Sequence, residues 1–228
     1  LAAQSGTIAG VSLSRPHDVV IDPDTNWLYA INPNSGDVFR FSAIGQNETK
    51  LNLSSELGGY SRSLTFANGK VYAIGSAAGK IVEIVDWESG QFNVYQSPDD
   101  GKSDGSSGSW SSTGLVINDI EFYDDHWYAS SYFSGSGNNE NKLIRFETFD
   151  DFEAGNWEDV SALVPDGQVP YYFTVEGDSL YLAVFTPNSA DAILKITTVP
   201  EPSAALLLLG GFAAAGFCRR RRRDSRFN

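Results

Sequence analysis

Residues 15–41 read RPHDVVIDPDTNWLYAINPNSGDVFRF, and this stretch decides the fold of the chain. It holds three short runs, Asp18–Asp22, Leu28–Ile31 and Asp37–Phe41, in which apolar and polar residues alternate. Such alternation, with β-branched and aromatic residues, is typical of half-buried strands. Asp, Pro, Asn and Gly fill the gaps between the runs, where tight turns are expected. The stretch therefore predicts a three-stranded antiparallel unit.

The same unit recurs three more times along the chain. Its central run carries a tyrosine, at positions 29, 72, 128 and 181, with separations of 43, 56 and 53 residues. The pair Asn68-Gly69 between two apolar runs is a strong hairpin signal. Repeats of this length are typical of propeller blades. The first and third runs of the later units are Ser63–Phe66 and Lys80–Ile84, Asp119–Phe122 and Lys142–Phe146, and Tyr172–Val175 and Ala192–Ile196.

A fourth, outer strand is predicted in three units, near Thr49–Leu53, Gln91–Gln96 and Trp157–Leu163. The last unit runs directly into a proline-rich segment, so Thr7–Leu13 is expected to pair as its outer strand and to close the ring. The prediction is an all-β fold, a propeller of four blades over residues 6–198. Five or six blades are expected if the protein begins upstream of residue 1. The alternative is a β-sandwich of short strands.

Residues 15–41 resemble the repeats of NHL-like and YVTN-like propellers, and the resemblance extends diffusely over residues 6–198. It implies the fold and little about activity, because propellers support many functions.

The last 29 residues have a three-part order. Pro200, Glu201 and Pro202 form a short stiff segment, since proline cannot continue a helix. Ser203–Cys218 follows without a charge, and as a helix it would span about 24 Å, somewhat less than a ~30 Å hydrocarbon core. The predicted element is a short transmembrane-like hydrophobic helix. The basic residues that stop it on the cytoplasmic side are Arg219, Arg220, Arg221, Arg222 and Arg223.

Two other interpretations of the tail remain open. One is a buried C-terminal helix with a basic end, and the other is a nucleic-acid-binding tail. The second conflicts with the rest of the chain. Of the net charge of −13, residues 219–228 contribute six arginines against one aspartate, so residues 1–218 carry −18. An acidic body disfavours nucleic acid and anionic lipid, and no nucleic-acid partner is expected.

Residues 199–228 resemble the PEP-CTERM sorting signal of Gram-negative bacteria. The resemblance implies export, transient retention in the inner membrane, and recognition of Pro200, Glu201 and Pro202 by an exosortase, a membrane transpeptidase that removes the tail. The processed protein would then reach the cell surface or the extracellular matrix. Residues 1–5 begin with Leu1-Ala2-Ala3 and are expected to be the remnant of a signal peptide.

The first strands of propeller blades line a central channel. Alignment of the four units places two residues of each blade at the mouth of this channel, eight in all. Two of the eight are Ser63 and Tyr172, and the other six are the main candidates. These polar groups could bind a cation or a small polar ligand, and the alternative is a polar, water-filled channel. The residues predicted as a channel ligand site are His17, Asp18, Arg62, Asn118, Asp119 and Tyr171.

No catalytic residue, metal ligand or cofactor is assigned from the sequence, and Ca²⁺ is the one cofactor that remains open. Residues 22–26 and 99–104 match a calcium-binding loop only incompletely, so a hairpin turn is the preferred interpretation of the first. His126 is expected to be an exposed strand residue. The single cysteine, Cys218, lies in the tail. Two Gly/Ser/Asn-rich insertions, residues 97–114 and 134–141, are expected on one face, where Trp110, Tyr132 and Phe133 would offer contact area.

These features together predict a non-enzymatic binding module of the bacterial surface, with extracellular polysaccharide or another surface protein as partner. The alternative is a propeller hydrolase or lyase that acts on sugars or lactones at a metal site in the channel. A structural shell protein is a third possibility.

Overall fold

The computed structural model describes residues 6–8, 11–13, 17–42, 48–57, 61–75, 79–98, 115–131, 141–185 and 191–196. Within these ranges the chain forms four successive antiparallel sheets, arranged as the blades of a propeller. Each blade begins with its inner strand, and the later strands follow in chain order. The predicted propeller of four blades is confirmed.

The strands of the blades follow the predicted runs closely. Blade 1 consists of β3 (Asp18–Ile21), β4 (Leu28–Asn32), β5 (Asp37–Phe41) and β6 (Thr49–Asn52). Blade 2 consists of β7 (Ser61–Ala67), β8 (Lys70–Gly75), β9 (Lys80–Asp86) and β10 (Gln91–Gln96). Blade 3 consists of β11 (Ile117–Tyr123), β12 (His126–Ser131), β13 (Lys142–Phe146) and β14 (Glu158–Asp159). Blade 4 consists of β15 (Val169–Glu176), β16 (Ser179–Phe185) and β17 (Ala192–Ile196).

The inner hairpins are closed by turns whose residues suit positive φ. Asn68 and Gly69 have φ values of 52° and 74° and connect the paired residues Ala67 and Lys70. Asp124 and Asp125 do the same in blade 3, at 51° and 60°. Two-residue turns with both φ angles positive match the twist of the flanking strands, which explains the strength of the Asn-Gly signal.

Two short helices, which the sequence analysis did not predict, interrupt this pattern: α1 (Ser54–Leu57) and α2 (Phe149–Ala154). A capping box starts α2, since the side chain of Thr148 accepts the amide of Asp151 and the Asp151 carboxylate accepts the amide of Thr148. Gly155, in the left-handed region at φ 75°, ends it. The helix packs Phe149 and Phe152 against the core.

The core lies between the blades. One buried cluster joins blades 1 and 2 through residues such as Ile31, Val38 and Leu64. A second joins blades 2 and 3 and includes Ile74 and Trp127. In the middle strands of blades 2 and 3 the alternation thus buries side chains on both faces, whereas β3 and β17 of blades 1 and 4 have alternating exposed positions.

Two predicted outer strands differ from the structure. Trp157–Leu163 forms only the two-residue strand β14 and then a 3₁₀ turn at Ser161–Leu163. Asp159 accepts the amide of Ser161, and such local side-chain bonds favour a turn over a continued strand. At the N-terminus, β1 (Gly6–Ile8) pairs with β2 (Val11–Leu13) as a separate hairpin. The prediction that Thr7–Leu13 pairs with blade 4 is therefore wrong, and blade 4 has three strands in the described part of the chain.

The chain divides into two compact units, Leu1–Lys195 and Ile196–Asn228. The second unit contains the predicted hydrophobic helix and the arginine cluster, which lie outside the described residues. Among the ranges that the structure does describe, no helix has the length and apolar character needed to cross a membrane.

Candidate functional site

The eight aligned residues lie where the four inner strands begin. His17 directly precedes β3, and the other seven lie on the inner strands, two each on β7, β11 and β15 and Asp18 on β3. These strands adjoin one another in order around the centre, β3 beside β7, β7 beside β11 and β11 beside β15. The structure therefore brings the eight residues together at one end of the inner strands.

Five of them form a connected polar and aromatic group, here called the mouth cluster: His17, Arg62, Asn118, Tyr171 and Tyr172. The guanidinium Nη1 of Arg62 donates to the Tyr171 hydroxyl at 2.8 Å and to Asn118 Oδ1 at 3.2 Å. The ring of Tyr171 also lies under this cation, 5.8 Å from its carbon Cζ. Arg62 on blade 2 thus contacts both blade 3 and blade 4.

Histidine connects the remaining members of the mouth cluster. His17 Nδ1 donates to the carbonyl oxygen of Arg62 at 2.9 Å, and the hydroxyl oxygen of Tyr172 lies 3.5 Å from the same nitrogen. The rings of Tyr171 and Tyr172 meet edge to face, with centroids 4.4 Å apart. Blades 1 and 4 therefore approach each other at the mouth cluster.

Asp18 and Asp119, here called the inter-blade aspartates, bind the backbone of the next blade. Asp18 Oδ2 accepts the amide of Leu64 at 2.8 Å. Asp119 Oδ2 accepts the amide of Phe173 at 2.7 Å. In both cases the donor amide belongs to the next blade and directly follows the residue aligned with the aspartate. The same contact therefore occurs twice around the propeller. Blade 2 has Ser63 at this position, and its hydroxyl donates to both aspartates.

Burial favours the protonated form of the two inter-blade aspartates. It raises the pKa of Asp119 well above its usual value, although the bonds from the Phe173 amide and the Ser63 hydroxyl oppose the shift. Burial likewise raises the pKa of Asp18, against the hydrogen bonds that it accepts from Leu64, Val19 and Ser63. The inter-blade aspartates are therefore structural hydrogen-bond acceptors in a desolvated position.

Glu121 is a further candidate residue, and it was not predicted from the sequence. It lies two positions after Asp119 on β11, and burial raises its pKa to about 7, while the amide of Phe122, 3.2 Å from Oε1, opposes the shift. The nearby charge of Asp18 raises the pKa further. The sequence contained a signal for this residue. Asp119 and Glu121 are two positions apart on an inner strand, and this spacing places both carboxyl groups on one face.

Glu121 leads to a prediction about the pH dependence of stability. In the unfolded chain this carboxyl has its ordinary pKa of 4.5, and in the folded chain its pKa is about 7. Between these values the unfolded state binds fewer protons, so the free energy of unfolding falls as pH rises through that window. The contribution is about 2 to 3 kcal/mol. Burial raises the pKa of Glu83, but hydrogen bonding outweighs burial and the pKa is lowered overall. Glu83 therefore affects the free energy of unfolding only at lower pH.

Glu121→Gln should remove this contribution, and chemical denaturation at pH 5 and pH 7.5 measures it. We expect the decrease in unfolding free energy between the two pH values to be smaller in the variant. Glu176→Gln, at an exposed position of β15, is the matched control and should leave the decrease unchanged. Equal decreases in all three proteins would contradict the assignment to Glu121.

The other residues singled out in the sequence have local structural roles. The carboxylate of Asp22 accepts the amides of Asp24 and Thr25 and the Thr25 hydroxyl, so the Asp22 segment is a hydrogen-bonded turn. His126, at the first position of β12, is half-buried, and its Nδ1 donates to the carbonyl oxygen of Asp124 at 2.6 Å. The described ranges contain no group of three His, Cys, Asp or Glu side chains that could hold a metal ion.

Most of the two insertions lies outside the described residues, and so do Trp110, Tyr132 and Phe133. The described end of the first insertion, Ser97, is buried and accepts the amide of Leu115 at 2.8 Å.

Comparison with known proteins identifies the tail. Residues 198–223 match the PEP-CTERM protein-sorting motif. The motif implies an exported protein that is anchored transiently by its C-terminal tail until an exosortase processes it. No curated protein sequence matches the chain.

Solved structures similar to this chain are β-propellers. A catalytically inactive virginiamycin B lyase from Staphylococcus aureus, solved with quinupristin, is 18% identical with a TM-score of 0.51, over 82% of this chain and 56% of that one. A streptogramin B lyase is 12% identical with a TM-score of 0.51, over 83% of this chain and 56% of that one. The chain thus spans little more than half the length of either lyase. Likeness at this level of identity shows the fold alone.

Proposed function

We propose that the protein is a surface or extracellular-matrix propeller that binds a partner outside the cell. The PEP-CTERM motif behind the propeller is the observation that carries this proposal, because it directs the body to the exterior. Residues 1–218 carry a net charge of −18, which suits a body that stays soluble in an aqueous matrix. Extracellular polysaccharide is the favoured partner, and another surface protein is the second.

The mouth cluster supports polysaccharide as the ligand. Tyr171 and Tyr172 offer aromatic rings on which a sugar ring can pack, and the Arg62 guanidinium beside them supplies a positive charge that attracts carboxylate oxygens. Ser130 holds Tyr171 in place, since its hydroxyl donates to the Tyr171 carbonyl at 2.6 Å. A rigid aromatic group beside a planar cation is a common design of binding sites. The insertion at residues 97–114 is a second candidate contact area.

A glycan array screened with the full chain in detergent micelles tests this proposal. We expect binding to a polysaccharide, and Arg62→Lys should weaken it about tenfold or more, because lysine keeps the charge but loses the planar donor set. Arg40→Lys is the matched control. Arg40 stacks over Trp27 and Trp87, away from the mouth cluster, so its substitution should leave binding unchanged. Equal losses in both variants, or no binding to any glycan, would overturn the proposal.

The second candidate is a hydrolase or lyase acting on sugars or lactones, and Glu121 is the observation that favours it. A carboxyl group with a pKa of about 7 is suited to general acid–base catalysis at neutral pH. Turnover of sugar lactones by the full chain, with and without added Ca²⁺, would be measured beside Glu121→Gln. Turnover that the substitution abolishes favours this candidate, whereas its absence together with glycan binding favours the binding module.

A further inference from the structure

The outer edge of blade 4 differs from those of the other blades. In blades 1 to 3 a fourth strand pairs with the third, whereas β17 is the last strand of blade 4 in the described part of the chain. The sequence directly after β17 reaches Pro200 and Pro202 within a few residues, and proline cannot donate to a strand ladder. Among the described residues, the outer edge of β17 thus pairs with no further strand, and such an edge can accept one.

The exposed face of β17 has a regular pattern. Asp191, Ile193 and Lys195 alternate with Ala192 and Leu194 and all point to the exposed side. Ile193 has 74% of its surface exposed, which is unusual for a large apolar side chain. The ammonium of Lys195 lies 5.9 Å from the ring centre of Tyr181 on the neighbouring strand, which fixes its side chain on this face.

An apolar groove adjoins the same edge. It has a volume of about 390 Å³ and is lined by Tyr171 of the mouth cluster, by residues 183–185 of β16 and by residues 191–193. Phe185 has 37% of its surface exposed. Ile193 and Asp191 line this groove, and Lys195 lies two residues beyond Ile193 on the same exposed face.

We propose that a second copy of this chain pairs with this edge, β17 against β17, in an antiparallel arrangement centred on Ile193. The pattern is self-complementary. A twofold axis at Ile193 places Ile193 opposite its own counterpart and Asp191 opposite Lys195 of the partner subunit. On the other face Ala192 meets Leu194 of the partner subunit. An interface of identical patches is the usual form of a twofold dimer.

Charge complementarity selects a second copy among the possible partners. Side chains directly opposite each other across an antiparallel pair interact at about 4.5–5.5 Å between Cβ atoms, and opposite charges there stabilise the pairing. The twofold axis makes this contact twice. The two blades then form one continuous sheet of six strands, and the open edge is removed.

Charge reversal tests the proposal on the full chain in detergent micelles, with molar mass from light scattering. We expect the unmodified chain to be dimeric. Asp191→Lys or Lys195→Asp alone places like charges opposite each other twice, so dimerisation should weaken about tenfold or more. The double variant D191K/K195D restores opposite charges and should restore the dimer. An equimolar mixture of the two single variants should form a heterodimer for the same reason.

Ile193→Lys provides a second test, since it places two ammonium groups at the axis. Ile21→Lys is the matched control, because Ile21 is also an exposed strand isoleucine, 57% exposed on blade 1. We expect only the first to give monomers, while both variants keep the circular dichroism spectrum of the unmodified chain. The Tm of Ile193→Lys should no longer depend on protein concentration. A chain that is monomeric at every concentration would overturn the proposal. So would a dimer that persists in both single charge reversals, because its contacts would then lie elsewhere, for example in the tail.

Discussion

Replacement of Asp119 by alanine is expected to lower the free energy of unfolding by about 3 to 5 kcal/mol. Its carboxylate accepts the amides of Phe173 and Ile120, at 2.7 and 2.9 Å, and the Ser63 hydroxyl. Only 4% of its surface is exposed, so water cannot easily replace the lost acceptor. The amides of Phe173 and Ile120 would lose this partner at once, whereas the Ser63 hydroxyl would keep Asp18 as its acceptor.

Chemical denaturation followed by tryptophan fluorescence measures this loss. Asp119→Asn keeps one carbonyl oxygen as an acceptor and should cost clearly less than Asp119→Ala. Asp166→Ala, at an exposed turn, is the matched control and should change the unfolding free energy very little. A cost of Asp119→Ala close to that of the control would show that the inter-blade aspartates do not hold the blades together.

Trp127→Ala is expected to have a similar effect, about 3 to 5 kcal/mol. The indole is 4% exposed and lies at the interface of blades 2 and 3. Its ring centroid is 4.7 Å from that of Tyr72, 4.8 Å from Phe149 and 5.1 Å from Phe122. Truncation would leave a cavity among three aromatic rings, and one of these rings belongs to α2. The loss should therefore also loosen the helix.

The comparison with Trp87→Ala separates burial from residue type. Trp87 is only half-buried, packs against Tyr29 and lies under the Arg40 guanidinium. We expect Trp87→Ala to lower the free energy of unfolding by about 1 to 2 kcal/mol, because it removes this cation–π contact and a smaller buried area. Trp127→Phe should fall between the two alanine variants, since it keeps most of the apolar volume. Equal costs for Trp127→Ala and Trp87→Ala would contradict the central place of the aromatic cluster.

The strands could be predicted from the sequence because their signal is local. Alternation such as that of Lys80–Ile84, and turn residues such as Asn68-Gly69, specify strand and hairpin within a few positions. The helix α2 also had a local signal, Thr148 three residues before Asp151 and then Gly155, but the β repeat masked it. The pairing of β1 with β2 is also local, since Ile8 pairs with Val11 only three positions further along. It was not predicted because residues 7–13 were taken as one continuous strand, an interpretation that ring closure with blade 4 favoured.

The candidate site was predictable in position and only partly in chemistry. Alignment of repeats places Arg62, Asn118 and Tyr171 near one another, because equivalent positions of blades converge. It does not show that Asp119 is occupied by the Phe173 amide, since a backbone donor has no sequence signature. Glu121 was missed because its raised pKa results from burial by the neighbouring blade, which alternation alone does not specify.

The exported propeller with a removable tail is tested most directly by the mass of the protein recovered from its native host. We expect the chain from the cell surface or medium to lack Arg219–Arg223, and deletion of the exosortase to leave the full-length chain in the inner membrane. A soluble cytosolic chain that keeps its complete carboxyl end, with or without the exosortase, would contradict the account.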